Sequence, residues 1–566
     1  MRTTAQSPML TARAIAGTHV VVLAWDLRPG AANKKKLDGL LGFALERTEL
    51  VNGVPTETYW MRSIKRFRDK DKGYPPGTPV STAEHPIQSF QWGDYTARSA
   101  RRYRYRIVPL YGNPKLIQPD DAAAVTIDAA TEPDAATPAA GAAGPVRHDI
   151  YFNRGVIGSQ AYAREFLNAA PDPDDPASDK MVWLSHGLYE GLMKFIALAQ
   201  DEHYALRAAF YEFHYQSVAN AFAKVIEAGA DVKIVYDAES SYKVDNLKAI
   251  QSAGLDAVGA VIPRTVSEGI RHNKFIVLLK DGDPAAVWTG STNVSAGGIF
   301  GHSNVGHAVW DKACAQAYLG YWERLAENLT PTKLRKPNRL ATPTPAGKTP
   351  KNSVVPLFSA RDEKESLETL QWYADRMAEA KEIVCFTVAF NLDDVFQQVI
   401  AQDNDVLRYI VKDDDLGEGE IVGHDRDVIF AAGSYLGENA LINFRGERDN
   451  PLNTNDYIHT KFMLVDPLGD DPLVVTGSAN FSRPSQRTND ENMLVIRGDT
   501  RAADIYFGEF MRIFDHHYAR YVVRKLTEAN KSDPEAGYLK EKSEEWVPSH
   551  FNPKSYKAKR RRYFVG

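Results

Sequence analysis

Two stretches of this 566-residue chain carry the same polar residues at the same spacing. The first, RHNKFIVLLKDGDPAAVWTGSTN, sets His272 two residues before Lys274 and ends in Gly290, Ser291 and Asn293. The second, IHTKFMLVDPLGDDPLVVTGSAN, sets His459 before Lys461 and ends in Gly477, Ser478 and Asn480. The interval from His to Gly is the same in both copies. Brought face to face, the two sets would surround one phosphodiester with two ammonium groups, two amides and two imidazoles. One imidazole can attack phosphorus while the other protonates the leaving oxygen. Lys and Asn would stabilise the equatorial oxygens as charge builds. This chemistry needs no cofactor and no metal, and no Cys/His cluster has zinc-site spacing.

The elements that must position these groups follow from the pattern around them. The apolar runs 275–279 and 462–465 read as buried strands, and alternation puts His and Lys on one face of the extended chain. Gly290 and Gly477 let the backbone turn closely, so that the Ser and Asn after each are presented there. Upstream, ALRAAFYEFHYQSVANAFAKVIEAGADVKIVYD reads as strand, helix, Gly turn, strand, and the order repeats from Glu382. Helices are expected before both, around 187–200 and 365–380. Each half is therefore predicted to be an α/β unit with a mainly parallel or mixed sheet.

These motifs resemble the phospholipase D superfamily, whose signature is HxKxxxxD followed by GSxN. The second copy matches in full: His459, Lys461, Asp466, Gly477, Ser478 and Asn480. In the first copy Leu279 stands in the Asp slot, and the nearest acid is Asp281. Glu491 sits where nuclease-like members place a Glu against the catalytic His, which would give His459 its carboxylate. The matching first-copy position reads as Ser303, beside Asn304. The resemblance covers about residues 148–520. It implies two pseudo-symmetric lobes sharing one site, with His272, Lys274, Asn293, His459, Lys461, Asn480 and Glu491 as the catalytic set. Ser291, Ser478, Asn304 and Asn492 are then substrate-binding candidates, and Asp466, Gly290 and Gly477 structural ones. A covalent phosphohistidine on either His272 or His459 is implied. His302 and His307 read as packing residues rather than substrate contacts, and Tyr211 with Glu212 as a sheet-edge pair.

The remaining chain divides by composition. Residues 17–130 read as an all-β sandwich resembling a fibronectin type III domain, with Trp25 in its core and Tyr103 as a candidate tyrosine corner. An Ala/Pro/Gly linker spans 131–147. The two α/β lobes occupy 148–328 and 355–525, separated by a Pro-rich linker, 329–354. The basic stretch 526–566 reads as a charged, mobile tail that can meet anionic lipid or nucleic acid.

A net charge of −5 gives no global basic field for nucleic acid. Cys314 and Cys385 read as free buried thiols, in keeping with a reducing compartment. The absence of a signal-peptide core and of any transmembrane run predicts a cytoplasmic protein, or one exported by another route. The expected function is a phosphodiesterase that hydrolyses or transfers a phospholipid headgroup, with peripheral membrane contact as a further expectation. A metal-independent nuclease of the same superfamily is the main alternative, and a binding protein with a decayed site is the other.

Overall fold

The computed structural model describes residues 1–135, 146–156, 158–389, 392–415, 427–450, 452, 457–529 and 531–566. Two seven-stranded mixed sheets dominate it. In the first, the spatial order is Arg147–Phe152, Val305–Trp310, Asp283–Gly290, Lys274–Lys280, Tyr204–Phe210, Asp231–Asp237, Val261–Arg264. In the second it is Ser353–Phe358, Asn492–Arg497, Leu473–Gly477, Phe462–Val465, Ile383–Val388, Leu407–Lys412, Val428–Ala432. The two orders are identical strand for strand. In each sheet the last three strands run parallel and the others pair antiparallel.

Local sequence explains the shared wiring. Parallel neighbours need a crossover, and Gln216–Glu227 supplies it in the first lobe by burying Val218, Ala219, Phe222 and Val225 along one face. Asp394–Ile400 does the same in the second, capped by the Asp393 side chain on Val395 N. The His-Lys strands then return antiparallel beside the first strand of each crossover, with almost every residue buried. Burial on both faces is why these strands read as continuous apolar runs.

The lobes are joined across a dry seam. One apolar cluster takes Phe275, Val305 and Tyr318 from the first lobe, Phe358, Phe462 and Leu494 from the second, and Tyr506 and Phe510 from the helix Thr500–Glu528. The backbone bridges the seam twice in the same way. Ser303 N donates to Tyr457 O at 2.9 Å, and Asp490 N donates to Ile270 O at 2.8 Å. Each contact ties the chain just before one His to the chain just before a polar residue of the other lobe.

The N-terminal region is antiparallel β. One sheet runs Arg2–Gln6, Leu10–Ala16, Val21–Leu27, Gln91–Asp94; the other is built on Gly42–Val51 and Arg102–Asn113. Trp25, Tyr103 and Tyr105 are buried in a core that draws on both sheets, and Tyr103 Oη accepts from Arg98 N at 2.9 Å. The β structure starts at Arg2 rather than near residue 17: Thr-rich alternation in Arg2–Gln6 pairs in register with Leu10–Ala16.

Two other expectations are revised. The segment 329–354 contains the helix Pro331–Ala341. Thr330 caps it through Lys333 N, Pro331 sits in its first turn where no N–H is needed, and Leu334 and Asn338 are buried. The 526–566 stretch is no free tail. It folds into short helices, the last of which, Tyr556–Val565, buries Phe564 and Val565 in the main core. Its cations find acids: Lys559 meets Asp405 and Asp427, and Arg561 meets Asp26. The expected 131–147 linker lies largely outside the described residues. No helix among the described residues is long and apolar enough to cross a membrane.

Candidate active site

Both motif histidines open onto one cavity of about 850 Å³ between the lobes. His272, Asn293, His459 and Asn480 line it, together with Tyr211, Glu212 and His302. The rings of His272 and His459 lie 6.3 Å apart, centre to centre, at 71°. That gap leaves no direct hydrogen bond and accommodates a tetrahedral centre between them. Lys274 Nζ donates to His272 O at 2.6 Å and Lys461 Nζ to His459 O at 2.7 Å, so each ammonium is folded back beside its own His.

Each imidazole is held from the opposite lobe. His272 Nδ1 lies 2.9 and 3.0 Å from the two carboxylate oxygens of Glu491. His459 Nδ1 lies 3.1 Å from Asn304 Oδ1. Both partners are acceptors, so Nδ1 carries the proton in each ring and Nε2 is left for the cavity. The sequence reading had paired Glu491 with His459 in its own lobe. The structure corrects this: Glu491 reaches across the seam to His272.

The counterpart of Glu491 is Asn304, not Ser303. Asn304 stands as far beyond Gly290 as Glu491 stands beyond Gly477. The supporting bonds repeat as well: Ser291 Oγ donates to Asn304 Oδ1 at 2.7 Å, and Ser478 Oγ donates to Glu491 Oε2 at 2.7 Å. Ser291, Ser478 and Asn304, expected to bind substrate, therefore stand behind the imidazoles rather than in the cavity wall. Asn492 is also away from the cavity, bonded within the seam to Asn273, Thr289 and Tyr318.

The glycines allow these supports to approach. A Cβ on Gly290 would sit 2.2 Å from Val305 O, and one on Gly477 2.2 Å from Asn492 O. Beyond them Asn293 donates to the Glu212 carboxylate, while Asn293 Oδ1 and Asn480 Oδ1 are buried with no hydrogen-bond partner among the described residues. Unmet amide groups at a cavity wall are places for a polar ligand.

Asp466 lies outside the cavity and acts on the backbone. Its carboxylate accepts from Lys381 N and Glu382 N, each at 2.8 Å, and from Ile383 N at 3.1 Å. It thereby ties the end of its own strand to the start of Ile383–Val388. In the first lobe Leu279 is buried at a register shift and the strand runs on to Lys280, so the turn falls at Asp281, which pairs with His203 at 2.8 Å. Asp466→Ala is expected to lower unfolding free energy by about 1–3 kcal/mol, since three backbone N–H groups, two of them on exposed residues, lose a charged acceptor. Urea unfolding measures this, and turnover should persist in the folded fraction.

The electrostatics are set by burial, with both lysines beside the histidines and Glu212 in the wall. Burial pushes Lys274 down to about 7, against the opposing pull of Glu491 and Glu212. Burial likewise brings His272 to about 4 despite Glu491, with Lys274 adding to the fall. His459 is held well below the ordinary imidazole value by burial and then by Lys461 and His302. Tyr211, Glu212 and His302 line the wall although the sequence reads them as a sheet-edge pair and a packing residue; the Tyr211 ring lies 5.2 Å from that of His272. His302 stacks on His459 with centres 4.5 Å apart, and Glu212 meets Asn293. Their positions just after or before motif strands were the available signal. His307, by contrast, is a packing residue, bonded to His148 and Tyr506. Among the described residues no cluster of His, Cys, Asp or Glu is built to hold a metal ion.

Residues 378–516 match the family model described as cardiolipin synthase, PLD-like domain. The second lobe is a phospholipase D-like domain. Its motif residues His459, Lys461, Gly477, Ser478, Asn480 and Glu491 all lie within the matched span. The first lobe, outside that span, repeats the phospholipase D-like strand order and supplies the other half of the cavity. Similar solved structures include phosphatidylserine synthase from Haemophilus influenzae, at 13% identity and a TM-score of 0.41, covering 63% of this chain and 94% of that one. The phospholipase D family member Nuc from Salmonella typhimurium is 19% identical with a TM-score of 0.22, over 32% of this chain and 95% of that one. Yeast tyrosyl-DNA phosphodiesterase is 11% identical with a TM-score of 0.31, over 54% and 85%. No curated protein matches the chain.

Proposed function

We propose that the protein cleaves or transfers a phosphodiester of a phospholipid headgroup through a covalent phosphohistidine on His272. The observation that carries this is the pair of imidazoles facing one cavity, each with Nδ1 anchored and a Lys beside it. In the first step His272 Nε2 attacks phosphorus, the bond to the leaving alkoxide breaks, and His459 delivers its proton to that oxygen. In the second, His459 takes a proton from water or an alcohol, whose oxygen attacks phosphorus as the P–N bond breaks. Lys274, Lys461, Asn293 and Asn480 hold the non-bridging oxygens.

The unequal partners support the division of labour. N-phosphorylation leaves a cationic ring, which a carboxylate at Nδ1 offsets and an amide does not. That favours His272, beside Glu491, as the nucleophile. His459 rests on a neutral Asn304 in a field of two lysines, so its proton is readily given up. A bound phosphate anion opposes the lysine field and supplies the condition under which His459 is protonated.

Phospholipid is preferred over nucleic acid on charge. A chain of net charge −5, with Glu212 in the cavity wall, offers little to the run of phosphates flanking a scissile bond in DNA. The matched family's description, which names a synthase, fits an alcohol acceptor as well as water.

The test is direct. Phosphatidylcholine with ethanol is expected to yield phosphatidylethanol, and quenched turnover to leave an acid-labile, base-stable phosphate on a His272 peptide. No lipid product, together with plasmid nicking that depends on His272, would establish the nuclease instead. Absence of both activities would leave a binding protein with a decayed site.

The pH profile follows from the same groups. The His272 ring must be neutral to attack, so kcat/KM should fall as pH drops through about 4. Lys274 must be charged to bind phosphate, so kcat/KM should fall again as pH rises through about 7. A flat profile between pH 5 and 9 on a soluble substrate would rule out Lys274 as the phosphate-binding cation.

A further inference from the structure

A second, smaller cavity of about 190 Å³ opens where the N-terminal β region meets the helix Tyr556–Val565. It shares no lining residue with the catalytic cavity. Residues 88–91 form one wall, and His550, Tyr556, Lys557, Arg560 and Arg561 the other. Three of these are cations, and no Asp or Glu lines the space.

The charges are unevenly answered. Arg561 pairs with Asp26, and its Nε donates to His550 O at 3.0 Å. Lys557 and Arg560 make no ion pair within 4.0 Å among the described residues, although their neighbour Lys559 makes two. Arg560 is not left bare: against burial, Tyr409, then Asp515 and Tyr556, hold its guanidinium above the ordinary value, and the Asp515 carboxylate also accepts from Tyr95 Oη at 2.6 Å. Burial and then Lys557, Arg560 and Arg561 push His550 down to about 3, as expected for a positive field without a counterion.

A polar group also waits at the wall. Gln91 is only 8% exposed, and its Oε1 has no hydrogen-bond partner among the described residues. A rotated amide presents its NH₂ to the same space. The helix begins at the cavity, with Ser555 capping Lys557 N, so its positive end adds to the field.

We propose that this cavity binds a phosphate monoester dianion, recognised by Lys557, Arg560 and Gln91. Lys557, with no acid partner among the described residues, and Arg560, whose acid Asp515 is shared with Tyr95, supply two positive charges for a dianion. An Arg fork, a Lys point charge and an amide together suit the several acceptor oxygens of a tetrahedral anion. The small volume admits one phosphoryl group rather than a polymer. Because its walls come from the β region and the C-terminal helix, an occupant would clamp the two together and stabilise the fold by binding linkage. The group belongs either to free phosphate in solution or to a lipid headgroup.

Calorimetric titration of the full chain with inorganic phosphate tests this. On the proposed function the catalytic cavity also takes phosphate, so two sites are expected in the unmodified protein. Lys557→Ala should weaken one of them by about tenfold or more, the loss of one charge-assisted contact, with turnover unchanged. Gln91→Leu should weaken the same site, while Lys554→Ala, outside the cavity, should alter neither. Displacement of phosphate from this site by vesicles with a phosphomonoester headgroup, and not by phosphatidylcholine vesicles, would assign the source to lipid; no displacement would assign it to the free anion. Phosphate binding untouched by Lys557→Ala would overturn the proposal, whether one site or two is seen. Neither result bears on the phosphohistidine, which is read separately by trapping.

Discussion

Alanine at His272 or at His459 is expected to cost turnover on the order of 10³-fold or more, with the double variant little worse than either single one. The reason is that nucleophile and proton donor act on the same phosphorus, so losing either abolishes the step that both serve. The rings face each other at 6.3 Å across one cavity, which is why independent half-sites are not expected. Steady-state kinetics on a soluble phosphodiester measure the effect, with circular dichroism confirming the fold. Either single variant keeping more than about a tenth of the activity would contradict the shared centre. Trapping adds a second readout: the His459 variant should still accumulate phosphohistidine from a substrate with a good leaving group, and the His272 variant should not.

The second large effect is expected at Glu491. Glu491→Gln keeps the shape and the bond from Ser478 Oγ but removes the charge beside His272 Nδ1. By the logic of an anchored imidazole, losing that carboxylate should lower turnover on the order of 10²- to 10⁴-fold. Asn304→Ala, which releases His459 from a neutral partner, should cost less, because no charge on the ring loses its counterion. The comparison separates positioning from charge. If Asn304→Ala proves the more damaging and Glu491→Gln nearly silent, the nucleophile is His459. A structural collapse at Glu491 would show as lost unfolding cooperativity rather than as a selective fall in kcat.

The sequence alone made the paired motifs and most of the wiring legible. The His-Lys-Gly-Ser-Asn repeat is local: a buried strand, a close turn and short polar side chains are each legible over a few residues. The crossovers were legible too, because amphipathic helices such as Gln216–Glu227 carry their own periodicity. Asp466 was read as a turn acid for the same reason, and the structure shows it accepting from three backbone N–H groups.

What spacing could not give was which lobe serves which imidazole. Glu491 is near His459 in sequence and was read as its partner, yet the seam carries it to His272, while Asn304 crosses the other way. Such pairing depends on how two sheets dock, and a one-dimensional pattern holds no term for that. The same holds for the ends of the chain. Proline in 329–354 and positive charge in 526–566 suggested unstructured segments. Pro331 instead starts a helix, and Lys559 and Arg561 of the last helix pair with Asp26, Asp405 and Asp427, residues far away along the chain. Composition reports what a segment can do unaided; only the tertiary structure supplies the partners that make it fold.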